Sequence, residues 1–213
     1  MLGDYLISHS YHLCSSLNNQ YAARVISRTT NQVCEGELLQ LSNRNNLDLD
    51  EETYVTIVSR KTGALIATSC LLGAHFAGAD ESTAKRLEKF GLSLGIAFQI
   101  QDDILDIMGT TGEVGKTLGI DVQKCKLTLP IIHFLQTAPA EHRELCRELL
   151  RSGELHAAER IRNLIAPSDS IAYARGRAQR LIDRAKQSIA DLPDSDAKRQ
   201  LEQMADFVLQ RRH

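Results

Sequence analysis

The sequence predicts an all-α protein. Apolar residues recur at helical spacing along most of the chain, no segment shows the alternation of a half-buried strand, and only 4 of the 213 residues are proline. The length fits one helical domain covering residues 1–213, although length alone also allows two small domains. We therefore expect a bundle of helices.

Turn-forming residues divide the chain into the predicted helices. Asn18 and Asn19 end the first helix, and an asparagine-rich run at residues 42–46 ends the second. Asp50 has the side chain and the position of an N-cap for the third. In order, the helices are predicted at about residues 2–17, 20–41, 51–77, 83–107, 127–136, 140–151, 155–165, 168–191 and 194–211.

Glycine, proline and charge mark the breaks in the second half of the chain. A turn at residues 78–80 precedes the fourth helix, and residues 113–124 combine glycine with mixed charge, as surface loops do. Pro130 is tolerable in the first turn of the helix that follows this loop. Pro193 separates the last two helices.

The composition excludes several classes of function. A net charge of −2 provides no overall field for nucleic acid, so we expect no nucleic-acid partner. Five scattered cysteines without a CxxC pair argue against disulfides and structural zinc and favour a reducing compartment, the cytoplasm. Residues 62–79 are apolar but rich in small residues and only marginally long enough to span a membrane. We expect a buried core helix there, and no transmembrane segment.

Three aspartates stand in the apolar run at residues 98–106. On a helix Asp102 and Asp106 lie one above the other, and Asp103 lies about 100° round from Asp102. Carboxylates this close repel one another unless cations neutralise them, and Mg²⁺ accepts a few carboxylates together with phosphate oxygens. We interpret Asp102, Asp103 and Asp106 as Mg²⁺ ligands; the alternative is a solvated acidic turn.

Lysines follow the aspartates within one short loop. Lys116, Lys124 and Lys126 carry compact charges suited to phosphate oxygens, and glycines let the backbone approach a ligand. Asp121 is a candidate for orienting a lysine or a metal-bound water. The alternative, surface lysines in a flexible loop, weighs most for Lys124. Together with the aspartates, this loop predicts a magnesium-diphosphate site.

Two further segments carry candidate site residues. Lys61 and Thr62 lie in a helix of small, apolar residues, where a lysine needs an anionic partner or a route to solvent. Gln99 precedes Asp102 by one helical turn, so its amide oxygen could face a positive reaction centre. A core glutamine satisfied by the backbone is an equal alternative. Residues 35–40 contain Glu35, Glu37 and Gln40, which are ambiguous in the same way.

These residues resemble the motifs of trans-polyprenyl diphosphate synthases. The resemblance covers nearly the whole chain, with the motifs in the family's order. They are Gly3-Asp4-Tyr5-Leu6, Glu35-Gly36-Glu37-Leu38-Leu39-Gln40, Lys61-Thr62-Gly63, Phe98-Gln99-Ile100-Gln101-Asp102-Asp103-Ile104-Leu105-Asp106, and Gly115-Lys116 with Asp121 and Lys126-Leu127-Thr128-Leu129-Pro130.

The resemblance implies an isoprenoid-synthase-type helical bundle that condenses an allylic diphosphate with isopentenyl diphosphate to linear polyprenyl diphosphates. Mg²⁺ would be the cofactor, a homodimer the expected assembly, and Mg²⁺-assisted ionisation of the allylic C–O bond the first step. The implied roles are metal binding by Asp102, Asp103 and Asp106, diphosphate binding by Lys61, Lys116 and Lys126, and catalysis by Lys61, Thr62, Gln99 and Asp102. Among these, Thr62 and Gln99 match the positions whose oxygens stabilise the carbocation.

The sequence departs from the family at a few positions. The first aspartate-rich motif is expected ahead of Gly3, so the chain resembles the C-terminal two-thirds of a synthase, an N-terminally truncated bundle with little or no turnover. Cys125 stands where the family usually has glycine, and Thr117 where proline is common. Two other functions remain open: a noncatalytic partner subunit of a full-length prenyl synthase, and a class I terpene cyclase.

Overall fold

The computed structural model describes residues 1–16, 19–108, 120–152 and 156–211, and every regular element in this part of the chain is a helix. The elements, in order, are α1 (Leu2–Ser15), α2 (Gln20–Ser42), α3 (Glu51–Val58), a π-helical turn (Ser59–Gly63), α4 (Ala64–Phe76), α5 (Glu81–Met108), α6 (Ile120–Gln123), α7 (Leu129–Thr137), α8 (Ala140–Ser152), α9 (Ala157–Ile165), α10 (Ser170–Ile189) and α11 (Asp196–Gln210). The all-α prediction is confirmed.

Side-chain caps begin four of the described helices, among them α5, where Asp80 accepts a hydrogen bond from the Thr83 N–H at 2.9 Å. The Asp50 carboxylate accepts a hydrogen bond from the Thr53 N–H at 2.7 Å, which confirms the predicted N-cap of α3. Asn19 caps α2 and Ser195 caps α11 in the same way. Elsewhere, the helix predicted at 127–136 begins at Leu129. The predicted ends at 17 and 155 lie outside the described residues.

The long helix α5 is the centre of the bundle. It packs against α4 on one side and α10 on another, with α7, α9 and α11 completing the surroundings. Phe90, Ala97, Ile100 and Ile104 of α5 are almost completely buried. Because α5 carries the aspartate run at its C-terminal end, the packing of this helix also fixes the position of that run.

Glycines allow α4 and α5 to approach closely. A Cβ atom added to Gly91 would lie 2.7 Å from the Ile66 carbonyl oxygen, and one added to Gly95 would lie 2.8 Å from the Gly63 Cα. Real side chains do not reach such distances, so only glycine permits this helix–helix contact. The contact also brings the π-helical turn against α5, next to the aspartates.

Residues 62–79 are the apolar stretch for which the sequence predicted a core helix, and they span the end of the π-helical turn, α4 and the turn that follows. In the described part of the chain, Glu51–Phe76 alone is long and apolar enough to cross a membrane by length and composition, a test that core helices also pass. Of the most apolar 18-residue stretch of this segment, 28% is buried. Ala67 and Ala74 are buried, whereas Leu65 and Phe76 are exposed. The prediction of a buried helix is therefore correct for one face only.

We expect Gly91→Ala to destabilise the fold by about 1–3 kcal/mol, because its methyl group would overlap the backbone of α4. Gly73→Ala is the matched control: a Cβ added to this helical glycine would have no neighbouring atom within 4 Å, so the variant should gain about 0.5–1 kcal/mol. Denaturant unfolding measures both. Equal stability of the two variants would contradict the close contact between α4 and α5.

Candidate active site

The buried carboxylate of Asp103 lies at the centre of the candidate site. Its side chain is 1% exposed. One oxygen, Oδ2, accepts a hydrogen bond from the Tyr54 hydroxyl at 2.7 Å, and Oδ1 accepts one from the Gln99 amide at 2.9 Å. The Lys126 ammonium lies 3.5 Å from Oδ1. Donors from α3, α5 and the segment before α7 therefore meet at one carboxylate.

Burial and charge shift the pKa values in this cluster. Burial raises the pKa of Asp103 to about 6, although the Lys126 ammonium favours the charged carboxylate. Burial also raises the pKa of Tyr54 well above its usual value, and the negative charge of Asp103 adds to the effect. Burial alone would lower the pKa of Lys126, but the carboxylates of Asp103 and Asp121 outweigh it and raise the pKa, so this lysine stays protonated.

Asp121 contacts Lys126, in agreement with one of its two predicted roles, that of orienting a lysine. Its carboxylate lies 2.9 Å from the Lys126 ammonium. The Asp121 backbone N–H also donates to Asp106 Oδ2 at 3.3 Å, which ties the start of α6 to the end of α5. Asp121 and Lys126 are therefore tied to α5 by contacts with Asp106 and Asp103.

The three predicted metal ligands do not face one direction. The Asp102 side chain is 38% exposed, and its Oδ1 lies 3.9 Å from a guanidinium nitrogen of Arg211. Asp106 is half-buried on the same helix face, one turn further on. Asp103 points into the core with both oxygens accepting hydrogen bonds. The cause is helix geometry, which rotates adjacent residues by about 100°.

Lys61 and Thr62 leave the π-helical turn in different directions. The Lys61 ammonium lies 2.5 Å from Glu37 Oε2 and donates to Gln40 Oε1 at 2.6 Å. The Thr62 hydroxyl donates to Gln99 Oε1 at 3.0 Å. Gln99 therefore links Thr62 to Asp103 through its two amide atoms, and it is satisfied by side chains rather than by the backbone alternative considered from sequence.

A close contact between α2 and the π-helical turn makes these pairs possible. A Cβ added to Gly36 would lie 2.8 Å from the Lys61 backbone nitrogen, so only glycine fits there. On either side of it, Glu35 pairs with Arg60 at 3.4 Å and Glu37 pairs with Lys61. Glu35 and Glu37, whose role the sequence left open, are thus the ion-pair partners of the basic residues in the π-helical turn.

A cavity of about 180 Å³ lies between these elements. Lys61 and Lys126, which are 65 positions apart in the sequence numbering, both line it, and Tyr54 contributes to its wall. Among the described residues, four basic and two acidic residues line the cavity: Arg44, Lys61, Lys124, Lys126, Glu37 and Asp121. A cavity with this excess of positive charge suits an anionic ligand.

The fit of Mg²⁺ rests on Asp102 and Asp106. Among the described residues, no three His, Cys, Asp or Glu side chains converge into a ready metal site. Mg²⁺ nevertheless binds through one or two protein carboxylates together with substrate phosphates and water. Asp102 and Asp106, one helical turn apart and accessible, provide such a partial donor set. Asp103 would have to give up its internal hydrogen bonds to join them.

Two residues of the site, Tyr54 and Arg211, were not predicted from the sequence. Tyr54 precedes Lys61 by about two helical turns, and a buried tyrosine hydroxyl needs a partner, which is a usable but weak signal. Arg211 stacks over the Phe98 ring at 4.3 Å and approaches Asp102 from the end of the chain, which no local pattern indicates. Lys116 lies outside the described residues.

We expect Tyr54→Phe to destabilise the fold by about 1.5–3 kcal/mol, because a buried carboxylate loses one donor. Tyr173→Phe is the matched control: its hydroxyl also donates to a carboxylate, that of Glu51, but on a more exposed residue. Its loss should be clearly smaller. Denaturant unfolding of both variants is the measurement. Equal losses in the free energy of unfolding would show that the burial of Asp103 does not determine how much the Tyr54 hydrogen bond contributes.

Comparison with known proteins gives consistent matches over nearly the whole chain. Residues 1–166 match the family "Polyprenyl synthetase". The chain is 34% identical to heptaprenyl diphosphate synthase component 2 of Bacillus subtilis over 99% of its length, which is 60% of that protein. It is 30% identical to octaprenyl diphosphate synthase of Escherichia coli, again over 99% of its length and 66% of the relative.

Solved structures match equally well. A polyprenyl synthase from Caulobacter crescentus, complexed with calcium and isoprenyl diphosphate, superposes with a TM-score of 0.91 at 33% identity over 99% of this chain and 65% of that one. A decaprenyl diphosphate synthase from Rhodobacter capsulatus gives a TM-score of 0.90 at 31% identity, with 99% of this chain and 66% of that one covered. The chain thus spans less than two thirds of the length of these relatives.

Proposed function

Because the chain belongs to the polyprenyl synthetase family, we propose that it takes part in prenyl transfer, the condensation of an allylic diphosphate with isopentenyl diphosphate to linear polyprenyl diphosphates. One observation carries the proposal: Lys61 and Lys126, far apart in sequence, line the same positively charged cavity. Asp106, near the end of α5, accepts a hydrogen bond from the backbone of Asp121 in the cavity wall, and Asp102 lies one helical turn before it. Diphosphates are the ligands that such a combination of lysines and carboxylates suits.

The ammonium groups of Lys61 and Lys126 are proposed to bind the diphosphate. Each is held by acidic partners, Glu37 for Lys61 and Asp121 with Asp103 for Lys126, so neither charge has to be reorganised when the ligand arrives. Lys116 is proposed as a third diphosphate ligand from the resemblance. Two fixed cations on one cavity would favour the leaving diphosphate as its negative charge grows.

Asp102, Asp103 and Asp106 are proposed to hold Mg²⁺. Asp102 and Asp106 are the accessible donors, whereas Asp103 also positions Lys126. When bound, Mg²⁺ would neutralise the charge of the diphosphate while the allylic C–O bond breaks. The electron pair of that bond leaves with the diphosphate, the double bond of isopentenyl diphosphate attacks the allylic carbon, and loss of a proton restores a double bond.

Thr62 and Gln99 are proposed to stabilise the positive allylic carbon. The Thr62 hydroxyl donates a hydrogen bond to Gln99 Oε1, so the oxygen of Thr62 keeps its lone pairs for another partner. Gln99 is fixed in turn by the hydrogen bond that its amide nitrogen donates to Asp103 Oδ1. This arrangement presents oxygen atoms in a set orientation without a competing negative charge at the reaction centre.

Assembly is the second part of the proposal. One relative is named as component 2 of its synthase, and α1 has no buried residue in the described structure. Large apolar side chains are exposed on α1, namely Leu2, Tyr5, Leu6, Ile7 and Leu13. An apolar surface of this kind is typical of an association site. We therefore propose a homodimer, or a heterodimer with a full-length synthase; in the latter case this chain would act as a noncatalytic partner.

Other expectations from sequence stay predictions. They include a cytoplasmic location and the absence of a nucleic-acid partner. The terpene cyclase alternative is less favoured, because the similar proteins are named as diphosphate synthases that elongate prenyl chains.

We expect the chain to bind an allylic diphosphate in a Mg²⁺-dependent manner. Asp102→Asn should weaken this binding about tenfold or more, because one accessible carboxylate loses its charge. Asp183→Asn, at an exposed aspartate of α10, is the control and should bind as the unmodified chain does. Isothermal titration measures the affinities with and without Mg²⁺.

Adding isopentenyl diphosphate to the same samples tests turnover. Formation of an elongated prenyl diphosphate would support the prenyl-transfer chemistry. No Mg²⁺-dependent binding in the unmodified chain would overturn the proposed diphosphate site.

We expect the chain to self-associate through α1, or to bind a full-length synthase of the family through it. Leu6→Asp should weaken the association about tenfold or more, because a charge enters an apolar contact. Phe207→Asp, at another exposed apolar residue on α11, is the control. Sedimentation velocity of the chain, alone and mixed with such a synthase, is the measurement. A monomer under both conditions would refute the assembly.

A further inference from the structure

A backbone contact joins the turn after α2 to the segment after α6. Asn45 and Cys125 are the two non-glycine residues with positive φ in the described chain, at 65° and 48°. The Asn45 N–H donates to the Cys125 carbonyl oxygen at 3.4 Å. Left-handed backbone is unusual for cysteine, so the surrounding structure has to hold it in place. The Cys125 thiol donates to the Leu150 carbonyl at 2.7 Å and contributes to that hold.

This contact brings Arg44 and Lys124 to the same cavity. Each of them directly precedes one of the two joined residues, and both side chains line the cavity of about 180 Å³ that also contains Lys61 and Lys126. Arg44 and Lys124 are exposed, whereas the other two are half-buried. Arg44 and Lys124 therefore occupy the solvent side of the cavity, which we call the cationic lip.

The charges inside the cavity are balanced, and those of the cationic lip are not. Lys61 pairs with Glu37, and Lys126 pairs with Asp121 and Asp103. For the side chains of Arg44 and Lys124, the described residues provide no hydrogen-bond or ion-pair partner. Two positive charges held near one opening repel each other, and a ligand with several negative charges removes that repulsion.

We propose that the cationic lip is a second anion subsite, which binds phosphate oxygens of a diphosphate at the mouth of the cavity. Arginine suits phosphate because its planar guanidinium donates two parallel hydrogen bonds, and lysine adds a mobile point charge. The subsite rests on the proposed function, because it lies on the cavity of Lys61 and Lys126. Arg44 and Lys124 stand outside the motifs that carry the family resemblance.

Titration with inorganic diphosphate, in the presence of a chelator, tests the subsite without a loaded metal site. We expect Arg44→Gln and Lys124→Gln each to weaken binding about three- to fivefold, and the double variant about tenfold or more. The effect should shrink between about 0.05 M and about 0.5 M salt, because exposed charges are screened. Thermal unfolding checks that these surface substitutions leave the fold intact.

The matched control is the double variant Arg24→Gln with Lys85→Gln. Both residues are exposed and line a separate groove between α2, α4 and α5. Unchanged affinity in this control, together with weakened affinity in the variants of the cationic lip, supports the subsite. Equal weakening in both double variants would overturn it, because overall charge would then explain the binding.

Two further outcomes separate this inference from the proposed function. If Lys61→Gln and Lys126→Gln weaken diphosphate binding but the variants of the cationic lip do not, the cationic lip is not an anion subsite and the proposed diphosphate site stands. If the unmodified chain binds no diphosphate with or without Mg²⁺, both are wrong. Inorganic phosphate is titrated in parallel, and binding as tight as that of diphosphate would overturn the assignment to a diphosphate.

Discussion

The carboxylate of Asp103 is the constraint on which the rest of the site depends. A charge that is 1% exposed is costly unless hydrogen bonds and an opposite charge compensate it. Tyr54, Gln99 and Lys126 provide that compensation from three parts of the chain. Since each donor must reach the same two oxygens, the carboxylate fixes how α3, α5 and the segment before α7 lie relative to one another. The position of Lys126 at the cavity follows from this.

Close packing at glycines establishes the other half of the site. Gly91 and Gly95 allow α4 to lie against α5, and Gly36 allows α2 to lie against the π-helical turn. A wide π-helical turn inserts an extra residue per turn, and such turns often occur at functional sites. Here Lys61 contacts Glu37 on α2 while Thr62, its neighbour, contacts Gln99 on α5. Small residues thus determine which side chains can meet.

The backbone conformation of Cys125 is one that favours glycine, the residue that the family resemblance implies at this position. The structure shows φ of 48° there, a conformation that glycine adopts without strain. In this chain the thiol donates to the Leu150 carbonyl, a hydrogen bond that glycine could not make. The same loop carries Lys124 towards the cavity, so the backbone conformation and the charge of the cationic lip are connected.

The sequence by itself determined the helical class, the main breaks, the Asp50 cap and the candidate cations and carboxylates. These features depend on helical periodicity, capping and charge within a few residues, and such signals are local. Only the tertiary structure decided that Asp103 is buried apart from Asp102 and Asp106, that Tyr54 and Arg211 belong to the site, and that Glu37 and Gln40 hold Lys61. Those pairings join residues from 21 to 109 positions apart, because helix packing brings them together and no local pattern encodes it.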